Sequence, residues 1–198
     1  MPVEIEVKAW ADEPEKTKSA LSRIAEYRGK FHKEDEYWLN RPGPSVTEAG
    51  GVPAFGVRIR REEAEDAEGT IRRALIVTYK VKEVRDGVEI NREREFTISD
   101  KAAFEELLSR LGLVRGYAKK KTGFAWTYHG ITAELALVGD LGWFAELELL
   151  TDDDAESAVK PARERLMDLL ERIGIRKDRI EPRYYAEMYR SAGESPSR

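Results

Sequence analysis

Apolar and charged residues alternate one for one along several short stretches of this chain, beginning with Val3-Glu4-Ile5-Glu6-Val7-Lys8. In a β-strand residues two apart share a face, so Val3, Ile5 and Val7 point one way and Glu4, Glu6 and Lys8 the other. The alternation returns at residues 55–61, where Val57 and Ile59 oppose Arg58 and Arg60. At 74–84 Val77, Tyr79 and Val81 oppose Lys80 and Lys82, and at 143–150 Ala145, Leu147 and Leu149 oppose Glu146 and Glu148. Further strands are predicted at 35–39, 89–98, 118–128 and 131–137. Residues 89–98 carry charge on both faces, so their pattern leaves the inward face open.

Between the strands the period changes to that of a helix. Asp12-Glu13-Pro14 reads as a helix start, with Leu21, Ile24, Ala25 and Arg28 at helical spacing and Gly29 as the stop. Ser99-Asp100 caps a second helix, whose Phe104, Leu107, Leu108 and Leu111 form an apolar stripe ending at Gly112. A third runs from the aspartates after Thr151 toward Gly174, with Pro161 either kinking it or marking its true start. A short helix is predicted at 183–189. Asp86-Gly87 is a hairpin turn, residues 62–73 a mobile charged hairpin tip, and 40–53 a long loop able to cover a site. The sum is one α+β domain at 1–189, followed by a disordered tail at 190–198. About eight mostly antiparallel strands suffice to close a β-barrel with room inside.

Composition narrows the setting. The 198 residues allow one domain with a real core. The absence of cysteine excludes disulfides and thiolate metal sites and fits a reducing compartment. The first residues lack the pattern of a signal peptide and no apolar run reaches membrane-spanning length, so a cytoplasmic protein without a membrane partner is expected. Lys+Arg (34) nearly balance Asp+Glu (38), which does not suggest a nucleic-acid-binding surface. Charged residues nevertheless make up 36% of the chain, against roughly 25% in ordinary domains. That density fits either a thermophilic surface or a charged cavity, and the position of the charges decides.

The strand faces carry a basic set (Lys8, Arg58, Arg60, Lys80, Lys82, Lys119, Lys121) and an acidic set (Glu4, Glu6, Glu134, Glu146, Glu148). Turned outward, these would be ordinary surface and the apolar faces would fill the barrel. Turned inward, they would line a polar lumen, with the apolar faces covered by three amphipathic helices. The helices need apolar surface to bury against, which favours the second arrangement. A lumen holding both guanidinium or ammonium groups and carboxylates suits a polyanion with a divalent metal, and a metal-bridged triphosphate meets both requirements.

The motifs resemble those of the CYTH superfamily, the triphosphate tunnel metalloenzymes. The resemblance rests on Glu4-x-Glu6-x-Lys8, Arg58-x-Arg60, Lys80-x-Lys82, Lys119-x-Lys121, the run Leu141-Gly142-Trp143-Phe144-Ala145-Glu146-Leu147-Glu148, and Glu181-Pro182-Arg183-Tyr184-Tyr185. It implies an eight-stranded antiparallel tunnel in which Glu4, Glu6, Glu134, Glu146 and Glu148 bind Mg²⁺ or Mn²⁺. It further implies that Arg58, Arg60, Lys80, Lys82, Lys119 and Lys121 hold a triphosphate, with Lys8 as a catalytic group. The last two motifs look most like the class IV adenylyl cyclase branch, which makes cyclic AMP and pyrophosphate from ATP. A triphosphatase acting on inorganic, nucleoside or thiamine triphosphate is the alternative, and a non-catalytic polyphosphate-binding domain is a third reading.

Two departures from the family pattern bear on the reaction. Only Glu134 stands where relatives carry an aspartate in the penultimate strand, followed by a turn about two residues longer. Lys121 replaces the usual arginine and offers no bidentate fork. Asp35 and Tyr37 match a family position that admits a structural role equally. His32 and His129 read as surface or turn residues, and Trp10, Trp126 and Trp143 as packing groups rather than a base-stacking platform.

Overall fold

The protein's structure, a computed structural model, describes residues 3–40 and 56–191, apart from the side chains of residues 40, 80–83, 190 and 191. Its elements are β1 (Val3–Trp10), α1 (Pro14–Ile24), β2 (Glu26–Asn40), β3 (Gly56–Asp66), β4 (Ile71–Arg85), β5 (Val88–Thr97), α2 (Lys101–Arg110), β6 (Leu113–Tyr128), β7 (Ile131–Val138), β8 (Gly142–Thr151), α3 (Glu156–Arg172) and α4 (Tyr185–Ser191). The strands close one antiparallel barrel in the order β1-β5-β4-β3-β2-β6-β7-β8. The α+β fold expected from the period changes is the fold observed.

The apolar faces turn outward and are covered by helices. Val3, Ile5 and Val7 of β1 are buried with Ala133 and Leu135 of β7, Leu147 of β8, Leu21 of α1, and Leu166, Leu169 and Leu170 of α3. Trp126 joins this core with no exposed surface. A second core beneath α2 gathers Trp38, Val57, Ile59, Val77 and Leu108. The charged faces are thereby left to the interior. Within α2 only Leu108 is buried, whereas Leu107 and Leu111 of the predicted stripe are 48% and 65% exposed. Asp100 caps that helix as expected, accepting from the Ala103 N–H.

The structure corrects three sequence expectations. The first helix stops at Ile24, and Gly29 lies inside β2 with φ +131°. A Cβ there would sit 1.9 Å from the Glu65 carbonyl oxygen, so glycine permits the β2–β3 approach instead of ending a helix. The charged run 62–73 is largely ladder: Glu62 pairs with Ala74 and Glu65 with Ile71. Most of its side chains are charged, with Arg73 paired to Glu63 at 2.7 Å, so it shows no apolar period to mark it as strand. Finally, Pro161 does not mark the true start of the third helix, since α3 begins five residues before it and runs through it. The Asp86-Gly87 turn has both residues at positive φ, 48° and 81°, matching a two-residue hairpin. The expected loop at 40–53 falls almost wholly outside the described residues, as do residues 192–198 of the expected tail. Among the described residues no helix is long and apolar enough to cross a membrane.

Candidate active site

The barrel holds a cavity of about 210 Å³, many times the roughly 10–15 Å³ that accommodates one water on that measure. Its lining includes Glu4, Glu6, Lys8, Arg58, Arg60, Lys119, Lys121, Glu134, Glu146 and Glu148, all singled out in the sequence. Strand parity puts them there: each belongs to the face opposite the helix-covered one. Lys80 and Lys82 stand opposite Glu93 and Asn91 in the β4–β5 register, and their side chains lie outside the described set. On β5 the inward face is that of Glu89, Glu93 and Glu95.

The lumen is polarised. Strands β2, β3 and β6 supply Lys33, Arg58, Arg60, Lys119 and Lys121, whereas β1, β5 and β8 supply most of the carboxylates. Asp35, 1% exposed, braces the basic wall from within. Burial opposes its charge, but Lys119 and Arg60 hold its carboxyl far below the usual carboxylate range. Arg58 donates Nη2 to Thr78 Oγ1 at 2.6 Å and to Glu95 at 2.9 Å. Its buried Nε has no hydrogen-bond partner among the described residues.

Carboxylates at the border of the two walls are held by ammonium groups. Lys33 Nζ donates to Glu134 Oε1 at 2.5 Å. Glu146 accepts from Lys121 Nζ and from the Tyr185 hydroxyl, the latter at 2.5 Å. Burial disfavours the charge of Glu146, yet Lys121 and Lys119 keep its pKa well below that of an ordinary glutamate. For Lys121, Glu146 and Glu134 overcome burial and raise the pKa. Lys119 goes the other way: burial, reinforced by Lys121, lowers it against the pull of Tyr37 and Asp35.

Lys8 is positioned by the chain's final segment. Its Nζ lies 3.3 Å from Glu89 and donates to the Arg183 carbonyl at 2.6 Å. Arg183 is fixed in turn by two guanidinium bonds to Glu181, at 2.8 and 2.6 Å. Those Arg183 bonds bring the Glu181 carboxyl down to about 2. Next along, Tyr185 and Met188 of α4 pack on inward-facing Phe31, Ala136, Val138 and Phe144. Trp10 packs on Phe144 with ring centroids 4.2 Å apart and planes tilted by 40°. The EPRYY run thus closes over part of the inner wall.

The donor chemistry beside one part of this lumen suits a divalent ion. Asn91, fully buried on β5, donates its amide to Glu4 at 3.1 Å and Glu6 at 3.4 Å. Its Oδ1 has no hydrogen-bond partner among the described residues. Two carboxylates beside an unsatisfied carbonyl oxygen make an all-oxygen donor set of the kind Mg²⁺ and Mn²⁺ prefer. Among the described residues no three His, Asp or Glu side chains are already gathered as an ion cage; Glu89, Glu134 and Glu146 are turned to lysines instead.

Comparison with known proteins agrees with this architecture. No family model matches the chain. A Methanocaldococcus jannaschii protein named as an adenylate cyclase candidate is 26% identical over 189 residues, spanning 94% of this chain and 98% of its own length. The solved PH1819 protein of Pyrococcus horikoshii superposes with a TM-score of 0.78 at 26% identity, covering 96% of this chain and 99% of that one. An adenylyl cyclase candidate from Hippeastrum, described as revealing a dominant triphosphatase activity, aligns with a TM-score of 0.58 at 18% identity, covering 97% and 96%. This chain has the CYTH-like triphosphate tunnel fold.

Several tunnel residues escaped the sequence reading. Lys33 precedes the strand predicted at 35–39, and its place two residues before Asp35 was the available signal. Glu89, Glu93 and Glu95 were hidden because Arg92 and Arg94 put equal charge on the outer face of β5. Asn91 carries no charge and Tyr185 comes from a helix, so neither belonged to an alternating strand face.

Proposed function

We propose that this protein is a divalent-metal-dependent enzyme that cleaves a P–O bond in a small-molecule triphosphate held inside the tunnel. The observation carrying this reading is the opposition, within one cavity, of a cationic wall and a carboxylate wall. Glu4 and Glu6 with Asn91, joined by Glu148, would hold the ion, and Glu134 and Glu146 would join once released from their lysines. A bound Mg²⁺ or Mn²⁺ supplies neutralisation of charge on phosphate oxygens as the bond breaks. Arg58, Lys119 and Lys121 bind and orient the phosphates, with Lys80 and Lys82 assigned the same role on their strand positions. Lys8, steadied by Glu89 and the Arg183 carbonyl, places its charge against the reacting phosphate. In this low-dielectric interior such preorganised charges count for more than in water.

Hydrolysis is the reaction we assign first. Cyclisation requires a ribose 3′-oxygen in line with the α-phosphorus, where an error of about 1 Å is costly. Lys121, a point charge where a fork is usual, constrains the phosphate less. Attack by water tolerates that looseness. Cyclisation of ATP is the second reading, favoured by the name of the Methanocaldococcus relative. The test is to incubate purified protein with ATP, thiamine triphosphate and tripolyphosphate, with Mg²⁺ or Mn²⁺, and resolve the products. ADP with phosphate supports hydrolysis, and cyclic AMP with pyrophosphate supports cyclisation. Binding without turnover for any substrate would leave a polyphosphate-binding domain in place of an enzyme.

A further inference from the structure

Lys8 is tied twice to one three-residue turn, Glu181-Pro182-Arg183. Its main-chain carbonyl accepts from the Glu181 N–H at 2.8 Å, beside the antiparallel bridge of Ala9 and Ile180. Its side chain is held by the other end of the turn, with Nζ donating to the Arg183 carbonyl at 2.6 Å. Burial within the turn is uneven: Pro182 and Arg183 are exposed, whereas Glu181 is 6% exposed. A carboxylate taken out of water is costly unless it is paired and hydrogen-bonded, and this one is. It accepts from the Arg183 N–H at 3.1 Å, from Arg183 Nε and Nη2 at 2.8 and 2.6 Å, and from Trp10 Nε1 at 3.2 Å. Trp10 lies two residues beyond Lys8, on the same face of β1.

Pro182 has no N–H and a fixed φ, so the direction of the Arg183 carbonyl is set by what holds Arg183 itself. Glu181 holds it at both the main-chain N–H and the guanidinium. We infer that Glu181 is a positioning residue for Lys8, acting through the Arg183 carbonyl. Glu181 itself lies outside the cavity lining, whereas Lys8 belongs to it. An ammonium carries three N–H donors. Glu89 at 3.3 Å and the Arg183 carbonyl direct two of them, which fixes the direction of the third. A loosened turn would leave the lysine its charge but return its long stem to many rotamers. The Arg183 bonds keep Glu181 ionised at any working pH, so this hold on Lys8 does not titrate. The inference rests on the triphosphate-tunnel reading above.

The experiment measures, by calorimetry in Mg²⁺, binding of a tripolyphosphate analogue whose bridging oxygens are replaced by methylene, so that it is not cleaved. The parent, Glu181→Gln, Lys8→Met and the two changes combined form a double-mutant cycle. Lys8→Met should weaken binding by roughly 10- to 100-fold, the usual contribution of a hydrogen bond to a charged group. Glu181→Gln should weaken it by roughly 5- to 10-fold beside an intact Lys8, and by less than about twofold in the Lys8→Met background. A turn that only packs the barrel would cause the same loss in both backgrounds, so equal losses overturn the inference. Parental affinity in Glu181→Gln also overturns it. Should Glu181→Gln not fold, Arg183→Met runs the same cycle with the same expectation, since it removes the guanidinium and keeps the carbonyl. If the parent does not bind the analogue, the tunnel reading itself fails and the positioning role fails with it. If the parent binds it and Lys8→Met binds it equally well, only the positioning role is lost.

Discussion

Arg60 grips Asp35 with two parallel hydrogen bonds, Nε to Oδ1 at 2.7 Å and Nη2 to Oδ2 at 3.0 Å. Lys119 Nζ lies 3.4 Å from the same Oδ2. One carboxylate thus ties β2 to β3 and β6 behind the basic wall, and most of the Arg60 fork is committed to it. Of the two arginines in the Arg-x-Arg motif, Arg58 is the one whose guanidinium retains a buried N–H without a partner among the described residues. Arg60 is thus first a brace of the basic wall.

Asp35→Asn should therefore destabilise the fold. The substitution preserves shape but leaves two buried cations without their counter-charge, a loss of about 3–5 kcal/mol by the usual cost of breaking a buried pair. Urea denaturation should show a lowered midpoint with an unchanged slope. A midpoint equal to that of the parent would mean the network adds nothing to stability.

Arg58→Ala should weaken binding of the uncleavable triphosphate analogue by roughly 10- to 100-fold, because a hydrogen bond to a charged group contributes about 1.5–3 kcal/mol. Arg58→Lys should recover part of this, keeping the charge but not the fork. Calorimetric titration decides it; an affinity for Arg58→Ala within about twofold of the parent would remove Arg58 from the phosphate site.

Glu4→Gln and Glu148→Gln should fold normally and lose turnover most severely at limiting Mg²⁺, since each removes a negative oxygen donor with little change of shape. Raising Mg²⁺ should restore part of the rate. Metal titrations of the rate that superimpose on the parent curve would reject both residues as ligands.

The lowered pKa of Lys119 predicts opposite pH trends for affinity and for stability. In the folded protein burial, helped by Lys121, makes this ammonium lose its proton below the ordinary 10.5. Triphosphate affinity should fall as pH rises through that lowered value. Stability should rise across the same window, up to 10.5, because there the unfolded chain binds the extra proton. Lys119→Met should flatten both profiles between neutral pH and 10.5; an unaltered alkaline fall in affinity would assign it to another group.

The barrel and most of its lumen were legible because a strand face is written in the sequence at every second residue. Glu4, Glu6, Arg58, Arg60, Glu146 and Glu148 each alternate with residues that became helix-covered core. Legibility failed where both faces were charged, as on β5, and where the contact comes from a distant segment, as with Tyr185 and Glu146. It failed also at Gly29, whose use as a helix stop and as a site of close strand approach look alike until Glu65 is placed beside it. The pairing of Asp35 with Arg60 and Lys119 is a matter of register across three strands, which no single stretch encodes.

The seam of the barrel joins the chain's first strand to its eighth, with Val3 opposite Thr151 and Trp10 opposite Phe144. Lys8 waits longer still, since the carbonyl that steadies it belongs to Arg183. A ribosome-bound chain consequently has no closed lumen until its eighth strand has emerged, and no braced Lys8 until the EPRYY run follows. Before that point only lumen contacts within β1–β7, such as Arg58 to Glu95, have both of their partners present. The full set of lumen walls comes together only when both ends of the chain are present.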